Sequence, residues 1–233
     1  IKFYDMSEIT ETVSDVTRHD VDNIMKQNNF IYDTKDFEDR FKRFTGANYC
    51  VGVSSGTSAL HLALDAIGIR KGDQVATVSH TFRATVAAIK YVGAKPVYVD
   101  IEPHSFCMDP LLLKNTLDDN PNIKAVSAVH LYGNSADIEK IADLCKSRKV
   151  KLIEDCSQAH GTFKQGNHVG TFGDIGTFSF FPGKNLGAYG DGGAVVTNNK
   201  KIYNTVLQLR AHGALKKFKH EVIGVNSRLD SIQ

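Results

Sequence analysis

From Gly46 onward, the chain alternates short apolar, β-branched runs with helical patterns. The runs that predict strands lie at residues 74–78, 96–101, 125–130, 150–154, 177–181 and 194–197. The patterns that predict helices lie at 57–67, 82–92, 110–117 and 136–147. Apolar strands separated by helices favour an α/β fold with a mostly parallel sheet covered on both faces. In such sheets ligands bind beyond the carboxyl ends of the strands, so we expect the chemistry just after the strands.

Residues 1–45 differ from the rest of the chain, because they are polar and helix-like. Phe37, Phe41 and Phe44 are spaced four and three apart, which places them on one helix face. We therefore predict an N-terminal helical segment at 1–45 and one large α/β domain at 46–233. The chain begins without Met, and we expect residues to be missing from both ends, mostly from the C-terminal end.

Composition excludes several function classes. The formal net charge is +2 over 233 residues, and the densest basic patch, 216–220, is too short for the basic stripe of a nucleic-acid-binding surface. No apolar stretch reaches the ~20 residues needed to cross a bilayer, and no signal peptide is visible. The four cysteines show no CxxC pair and no metal-ligand spacing. We expect a cytoplasmic protein with free thiols and no metal.

The segment at residues 54–59, Ser-Ser-Gly-Thr-Ser-Ala, precedes an apolar helical pattern. Gly56 permits close backbone approach, and Thr57 offers a hydroxyl where a helix begins. The free N–H groups and the dipole of a helix N-terminus favour a phosphate. No Gly-Lys-Ser/Thr follows, so the segment is not a P-loop. An ordinary helix cap explains the same residues, and the pattern leaves both interpretations open.

Lys184 and Asp155 are the residues that most strongly suggest covalent chemistry. Lys184 follows an apolar strand and a Pro-Gly break, and glycines follow it. An amine held at a strand end suits Schiff-base chemistry with the aldehyde of pyridoxal 5'-phosphate (PLP). Asp155 ends another strand, where a carboxylate can pair with a protonated pyridine nitrogen. The alternatives are an exposed turn lysine and a helix-capping acid.

Three further residues lie near the same predicted strand ends. Phe82 follows a strand and begins a helix, so its ring can stack on a flat cofactor, although spacing alone favours a core phenylalanine. Ser179 lies five residues before Lys184 and can reach a phosphate. Gln158 follows Asp155 within reach of the same opening.

Together these motifs resemble the DegT/DnrJ/EryC1/StrS family of PLP-dependent sugar aminotransferases, and the resemblance runs from Phe37 to Gln233. The matching segments are SGTSAL (55–60), TFRAT (81–85), GAKPV (93–97), VHLYG (129–133), EDCSQAH (154–160), SFFPGKNLG (179–187), GDGG (190–193) and GVNSR (224–228). The resemblance implies an aspartate-aminotransferase-like (fold type I) large domain with a seven-stranded sheet between helices. The smaller C-terminal domain of the family is then not represented.

The resemblance also implies a role for each matching residue. Lys184 corresponds to the Schiff-base lysine and proton shuttle, and Asp155 to the partner of the pyridine nitrogen. Gln158 corresponds to the residue near the phenolic oxygen of the cofactor. Phe82 corresponds to the stacking ring, and Gly56, Thr57 and Ser179 to the phosphate cradle. Asn226 matches a residue that reaches the cofactor of the neighbouring subunit, with Arg228 beside it, which implies a homodimer with shared active sites.

The implied reaction is a ping-pong transamination through a Lys184 internal aldimine. An amino acid donor, L-glutamate, supplies nitrogen, and a nucleotide-linked keto-sugar receives it. Two alternatives are a PLP-dependent sugar dehydratase of the same family and a non-catalytic, PLP-binding regulatory protein. Dehydratases of the family commonly carry His where the lysine stands, so Lys184 favours transamination.

Overall fold

A computed structural model describes residues 5–31, 34–216 and 218–233. Its strands are β1 (Tyr49–Val53), β2 (Gln74–Val78), β3 (Lys95–Val99), β4 (Ile123–Val129), β5 (Lys151–Asp155), β6 (Phe163–Lys164), β7 (Asn167–His168), β8 (Ile175–Ser179), β9 (Gly193–Thr197), β10 (Ala214–Lys216) and β11 (Lys219–His220). Its helices are α1 (Ser7–Gln27), α2 (Lys35–Thr45), α3 (Gly56–Ala66), α4 (Arg83–Tyr91), α5 (Pro110–Asp119), α6 (Ile138–Arg148) and α7 (Lys200–Arg210).

Seven strands form the central sheet, in the order β1-β9-β8-β5-β4-β2-β3. Six run in the same direction, and β9 alone in this sheet runs against both of its neighbours. Val129 and Asp155 end β4 and β5 side by side in register, and Thr177 of β8 lies beside Asp155. The prediction of a mostly parallel, seven-stranded sheet is confirmed.

Helices cover both faces of the sheet. Helices α3, α4 and α7 pack on one face, where Ile153 of β5 lies in a core with Leu62 and Ile89. Helices α5 and α6 pack on the other face, where Leu152 joins a second core with Leu113. Successive strand residues point to opposite faces, so Asp155 shares the α3 and α4 face with Ile153, and Glu154 lies on the opposite face.

Strand β1, helix α7 and the four short strands β6, β7, β10 and β11 were not among the predicted runs. The sequence pattern did not predict β1, because Gly52 interrupts a strand of only five residues. Helix α7 follows β9 and begins at an Asn199 cap, whose Oδ1 accepts a hydrogen bond from the Lys201 N–H at 2.9 Å. The strands that were predicted begin or end one to two residues from their predicted limits, except 74–78, which matches.

The predicted N-terminal helical segment is two helices, α1 and α2, and residues 1–4 and 32–33 of that segment lie outside the described residues. Helix α2 carries the aromatic face into the core: Phe41 is 3% exposed and packs edge-on against Phe178 and Phe180. Helix α1 buries none of its residues. In the part of the chain that the structure describes, no helix has the length and apolarity required to cross a membrane.

Candidate active site

A cavity of about 440 Å³ opens at the carboxyl ends of β4, β5 and β8, beside the N-terminus of α3. This volume falls within the range of roughly 300–1,000 Å³ that is usual for small-molecule sites. Seven of the eight predicted site residues line it: Gly56, Thr57, Phe82, Asp155, Gln158, Ser179 and Lys184. The fold therefore gathers residues that are up to 128 positions apart in the sequence, from Gly56 to Lys184, around one space.

Asp155 is the fixed carboxylate of this cavity. It is 5% exposed, and its Oδ2 accepts a hydrogen bond from the Thr85 hydroxyl of α4 at 2.9 Å. Its Oδ1 accepts hydrogen bonds from the Ser157 N–H at 3.1 Å and the Ser157 hydroxyl at 2.7 Å. These partners set the direction of the carboxylate, so a cationic group in the cavity meets an oriented acceptor. Asp155 also stabilises the local turn through Ser157, but it caps no described helix.

The partners of Asp155 were missed by the sequence analysis. Thr85 lies within the TFRAT segment, but only Phe82 was singled out there. Thr81 and Thr85 are four apart, which places their hydroxyls together, and their Oγ1 atoms are 2.9 Å apart. The spacing of the two threonines is visible in the sequence, but it does not show that Thr85 lies against Asp155.

Lys184 reaches the cavity from the segment between β8 and β9. Its backbone N–H donates to the Phe181 carbonyl at 2.8 Å, which closes a turn after the strand. Burial lowers the pKa of the Lys184 amine from its usual 10.5, and the charge of Asp155 opposes that change. The alternative of an exposed turn lysine is wrong, because the half-buried amine lines the cavity.

The start of α3 forms a turn with free N–H groups, which we call the anion-binding turn after the ligand that the sequence predicts for it. Ser55 is the helix cap, and its Oγ accepts a hydrogen bond from the Ser58 N–H at 3.1 Å. The N–H groups of Gly56 and Thr57 belong to the first helical turn, which has no acceptor within the helix. The helix-cap interpretation is confirmed. The cap leaves two N–H groups and the helix dipole free, and a phosphate at this turn stays a prediction.

The anion-binding turn is packed tightly against β8 and β9. A Cβ atom added at Gly56 would lie 2.5 Å from the Cβ of Ser179, and one at Gly193 would lie 2.5 Å from the Ser55 carbonyl. Side chains at these glycines would fill the space that the turn occupies. Ser179, 9% exposed, therefore lies directly against Gly56.

Phe82 is exposed rather than part of the core. It precedes the first residue of α4, its side chain is 70% exposed, and it lines the cavity. The core-phenylalanine alternative is therefore wrong. A large exposed ring at a cavity wall is available to stack on a flat ligand.

Asn226 does not line the cavity. It is exposed and forms an isolated bridge with Ala211, beside α7. The next residue, Ser227, is buried, and its hydroxyl lies 3.1 Å from that of Ser54. The structure thus places Asn226 near the anion-binding turn but outside this cavity, and its role at a neighbouring subunit stays a prediction.

A buried network behind the cavity centres on Glu154, which is fully buried. Its Oε1 accepts hydrogen bonds from the Phe172 and Gly173 N–H groups, at 2.8 and 2.7 Å. Its Oε2 accepts one from the Gly170 N–H at 2.7 Å and lies 3.1 Å from Nε2 of His130. The carboxylate therefore binds the chain at 170–173 to the sheet. No local sequence pattern indicates this role of Glu154.

The same network brings His130, Glu154 and Cys156 close enough to suggest a metal site, with ligand atoms within 4.8 Å of one another. The contacts argue for a structural role instead. The Glu154 oxygens already accept three backbone N–H groups. Nδ1 of His130 accepts the Ala136 N–H at 3.1 Å, and burial raises the pKa of the Cys156 thiol, which opposes formation of the ligating thiolate.

The chain is similar to known aminotransferases over nearly its whole length. The model of the DegT/DnrJ/EryC1/StrS aminotransferase family matches residues 11–233. A pleiotropic regulatory protein of Geobacillus stearothermophilus is 40% identical over 235 residues, covering 100% of this chain and 63% of that protein. A dTDP-3-amino-3,4,6-trideoxy-alpha-D-glucose transaminase of Micromonospora megalomicea subsp. nigra is 43% identical over 200 residues, covering 85% of this chain and 53% of that enzyme.

A solved structure agrees over the whole chain. The S. venezuelae protein DesV, determined in complex with a ketimine intermediate, superposes with a TM-score of 0.96 at 36% identity. The match covers 100% of this chain and 63% of that one. The chain therefore has the fold of this group of aminotransferases, fold type I, and spans about half to two thirds of the length of these relatives.

Proposed function

Since the chain belongs to the DegT/DnrJ/EryC1/StrS aminotransferase family, we propose that it is a PLP-dependent aminotransferase that makes an amino-sugar. It transfers the amino group of an amino acid, L-glutamate, to a nucleotide-linked keto-sugar. The observation that carries the proposal is the joint lining of one cavity by an amine, an oriented carboxylate, an anion-binding turn and an exposed ring.

Each part of PLP has a counterpart among these residues. The phosphate fits the N–H groups of Gly56 and Thr57 and the hydroxyl of Ser179. A protonated ring nitrogen fits Asp155, whose two oxygens are already aimed by Thr85 and Ser157. The flat ring fits the face of Phe82, and the aldehyde carbon fits the amine of Lys184.

The residues divide the chemistry between them. PLP, when bound, supplies an electron sink for the bonds around the amino group. Nζ of Lys184 would move a proton from the α-carbon of the donor to the C4′ carbon of the cofactor in the first half-reaction, and from that carbon to the sugar carbon in the second. Burial lowers the pKa of this amine, which brings it closer to the working pH of a proton carrier. Asp155 holds the ring nitrogen in its protonated, electron-withdrawing form.

Several finer features belong to the same proposal. Residues 46–233 are the large cofactor-binding domain, and 1–45 form the N-terminal helical segment. Two copies form a homodimer in which Asn226 of each subunit completes the other site, supported by its exposed position outside its own cavity. The protein is cytoplasmic, as supported by four buried cysteines that are all free thiols.

A second candidate is a PLP-binding regulatory protein, because one relative at 40% identity bears the name of a regulatory protein. Such a protein needs the cofactor cradle but has no need of an amine with a lowered pKa. A sugar dehydratase is disfavoured, because Lys184 occupies the position at which dehydratases of the family commonly carry His.

An absorbance titration distinguishes these functions. The purified chain is loaded with PLP, and we expect a visible band that disappears as glutamate is added and returns when a keto-sugar is supplied. Lys184→Ala is the matched control and should show neither change. A visible band that glutamate leaves unchanged would favour the regulatory function. The absence of any visible band with PLP would contradict the cofactor assignment.

A further inference from the structure

Tyr132 has an unusual backbone conformation next to the cavity. It lies in the 3₁₀ turn Leu131–Gly133 after β4, with φ 58° and ψ 21°, in the left-handed region. A residue with a side chain adopts this region rarely, and such residues concentrate where the surrounding structure requires them. Leu131, its neighbour, lines the cavity.

Hydrogen bonds on both sides hold the turn in this conformation. The Gly133 carbonyl accepts the Thr162 hydroxyl at 2.8 Å, and the Asn134 N–H donates to the Leu131 carbonyl at 2.9 Å. The Tyr132 N–H donates to Oε1 of Gln158 at 2.8 Å. The left-handed backbone of Tyr132 therefore aims its N–H group at a side chain that lines the cavity.

The Tyr132 ring points elsewhere. Its hydroxyl lies 3.3 Å from Nε2 of His80, its face contacts the rings of His80 and Phe106 edge-on, and it is 67% exposed. Tyr132 is not among the residues that line the cavity. Its influence on the cavity must therefore pass through the backbone rather than through the ring.

The contact with Tyr132 fixes which end of the Gln158 amide faces the cavity. A backbone N–H can only donate, so the amide atom opposite it must be the oxygen. Among the described residues, the Gln158 side chain makes this hydrogen bond alone, which leaves its amino group for a ligand. Gln158 is then a hydrogen-bond donor toward the cavity, whereas a freely rotating amide could also present an acceptor.

We propose that Tyr132 is a positioning residue, whose left-handed backbone holds Gln158 as a hydrogen-bond donor to the ring oxygen of bound PLP. The inference rests on the proposed function, because PLP supplies the acceptor. The donor stabilises negative charge on that oxygen. The charge is greatest when the neighbouring nitrogen, which joins Lys184 to the cofactor, has lost its proton. Loss of the donor should therefore raise the pKa of that nitrogen.

The test compares two substitutions that both remove the tyrosine ring. Asn adopts the left-handed region readily, whereas β-branched Val does so only as an outlier. We expect Tyr132→Asn to titrate like the unaltered chain when the visible band of the PLP-loaded protein is followed against pH. Tyr132→Val should titrate about one pH unit higher, the size of shift that one hydrogen bond produces.

Lys149→Val controls for backbone strain in general. Lys149 is exposed, has φ 55° and ends α6, and is not among the cavity-lining residues. We expect this variant to lower the unfolding temperature and leave the spectral titration unchanged. Gln158→Leu should reproduce the shift of Tyr132→Val, and the double variant should shift no further, because both changes remove one donor.

Three results would overturn the proposal: an unshifted Gln158→Leu, equal titrations of the Val and Asn variants, or additive shifts in the double variant. If Tyr132→Val does not fold, Tyr132→Ala takes its place, because alanine also disfavours the left-handed region but lacks the β-branch. Failure of the unaltered chain to form a visible band with PLP would contradict the proposed function instead, which keeps the two failures distinct.

Discussion

Glu154 and Asp155 are consecutive residues of β5, yet the strand directs their carboxylates to opposite faces of the sheet. Glu154 accepts three backbone N–H groups from residues 170–173 and contacts His130, and it is fully buried. Asp155 accepts two hydroxyls and one N–H group, and its side lies open to the cavity. A carboxylate bonded by backbone holds the fold together, whereas one bonded by hydroxyls is oriented and still available to a ligand.

Lys184, like Asp155, lines the cavity. Lys184→Ala should lower transamination by at least about 10⁴-fold, because it removes both the group that binds the aldehyde and the proton carrier. The free energy of unfolding should change little, since the amine makes no contact with other described residues comparable to those of Glu154. Steady-state kinetics with glutamate and thermal unfolding measure the two effects. Appreciable turnover in this variant would remove Lys184 from the mechanism.

Asp155→Asn tests whether the open carboxylate is functional. Asn keeps the size of Asp and can still accept a hydrogen bond from Thr85 or Ser157, but it carries no charge for a protonated ring nitrogen. We expect kcat/KM to fall by about 10²–10³-fold, the usual loss when one oriented electrostatic contact is removed, with stability nearly unchanged. If kcat/KM stayed within a few-fold while stability fell, the two carboxylates would both be structural.

Glu154→Ala tests the other half of the comparison. It leaves three backbone N–H groups without their acceptor, and removal of one partner from a buried charged network costs about 3–5 kcal/mol. Chemical denaturation should show this loss, and the fraction that stays folded should retain its kcat. Glu154→Gln is the matched control, since it keeps one oxygen acceptor and should cost less. Equal stability of the Ala variant and the unaltered chain would contradict the structural role.

Histidines on the Glu154 side of the sheet should also make the stability of the fold depend on pH. Burial among the rings of Phe178 and Phe180 lowers the pKa of His160 from 6.5 to about 4. The nearby Ser179 backbone opposes this change, and the charge of Lys184 adds to it. Between these values the unfolded chain binds a proton that the folded chain excludes. Stability from this group is therefore complete above pH 6.5 and is lost as the pH falls toward about 4.

Burial likewise lowers the pKa of His168, on the same side. Chemical denaturation between pH 4 and 7 should thus show that the free energy of unfolding depends less steeply on pH in His160→Leu than in the unaltered chain. The smaller slope would remain above zero because His168 still contributes. An identical slope in the two proteins would show that His160 titrates normally.

The sequence predicts the cavity because its residues occupy positions with a local meaning. Asp155, Ser179 and Lys184 lie at or just after the ends of apolar strands, and Gly56 and Thr57 begin a helix. Topology brings the carboxyl ends of parallel strands to one edge. Local pattern plus this one rule is enough to place these residues together, and the structure does so.

The sequence does not predict the contacts that orient these residues. Thr85 meets Asp155 across 70 positions, and Glu154 meets the backbone at 170–173, where no side-chain pattern marks an N–H donor. The left-handed backbone of Tyr132 was equally hidden, because tyrosine carries no preference for it. Asn226 stays a prediction, since its expected partner belongs to a second copy of the chain.

The single reversed strand, β9, has a consequence for how Lys184 is held. A parallel successor to β8 would need a crossover of a dozen or more residues that carries the chain to the opposite edge of the sheet. With β9 antiparallel, the chain leaves β8 and returns at the same edge, and the Phe180 N–H bonds to the Gly192 carbonyl at 2.8 Å to close the base of the excursion. The segment that carries Lys184 is thus attached at both ends to adjacent strands of the central sheet. The lysine is positioned before a ligand binds, so binding does not have to order a loop.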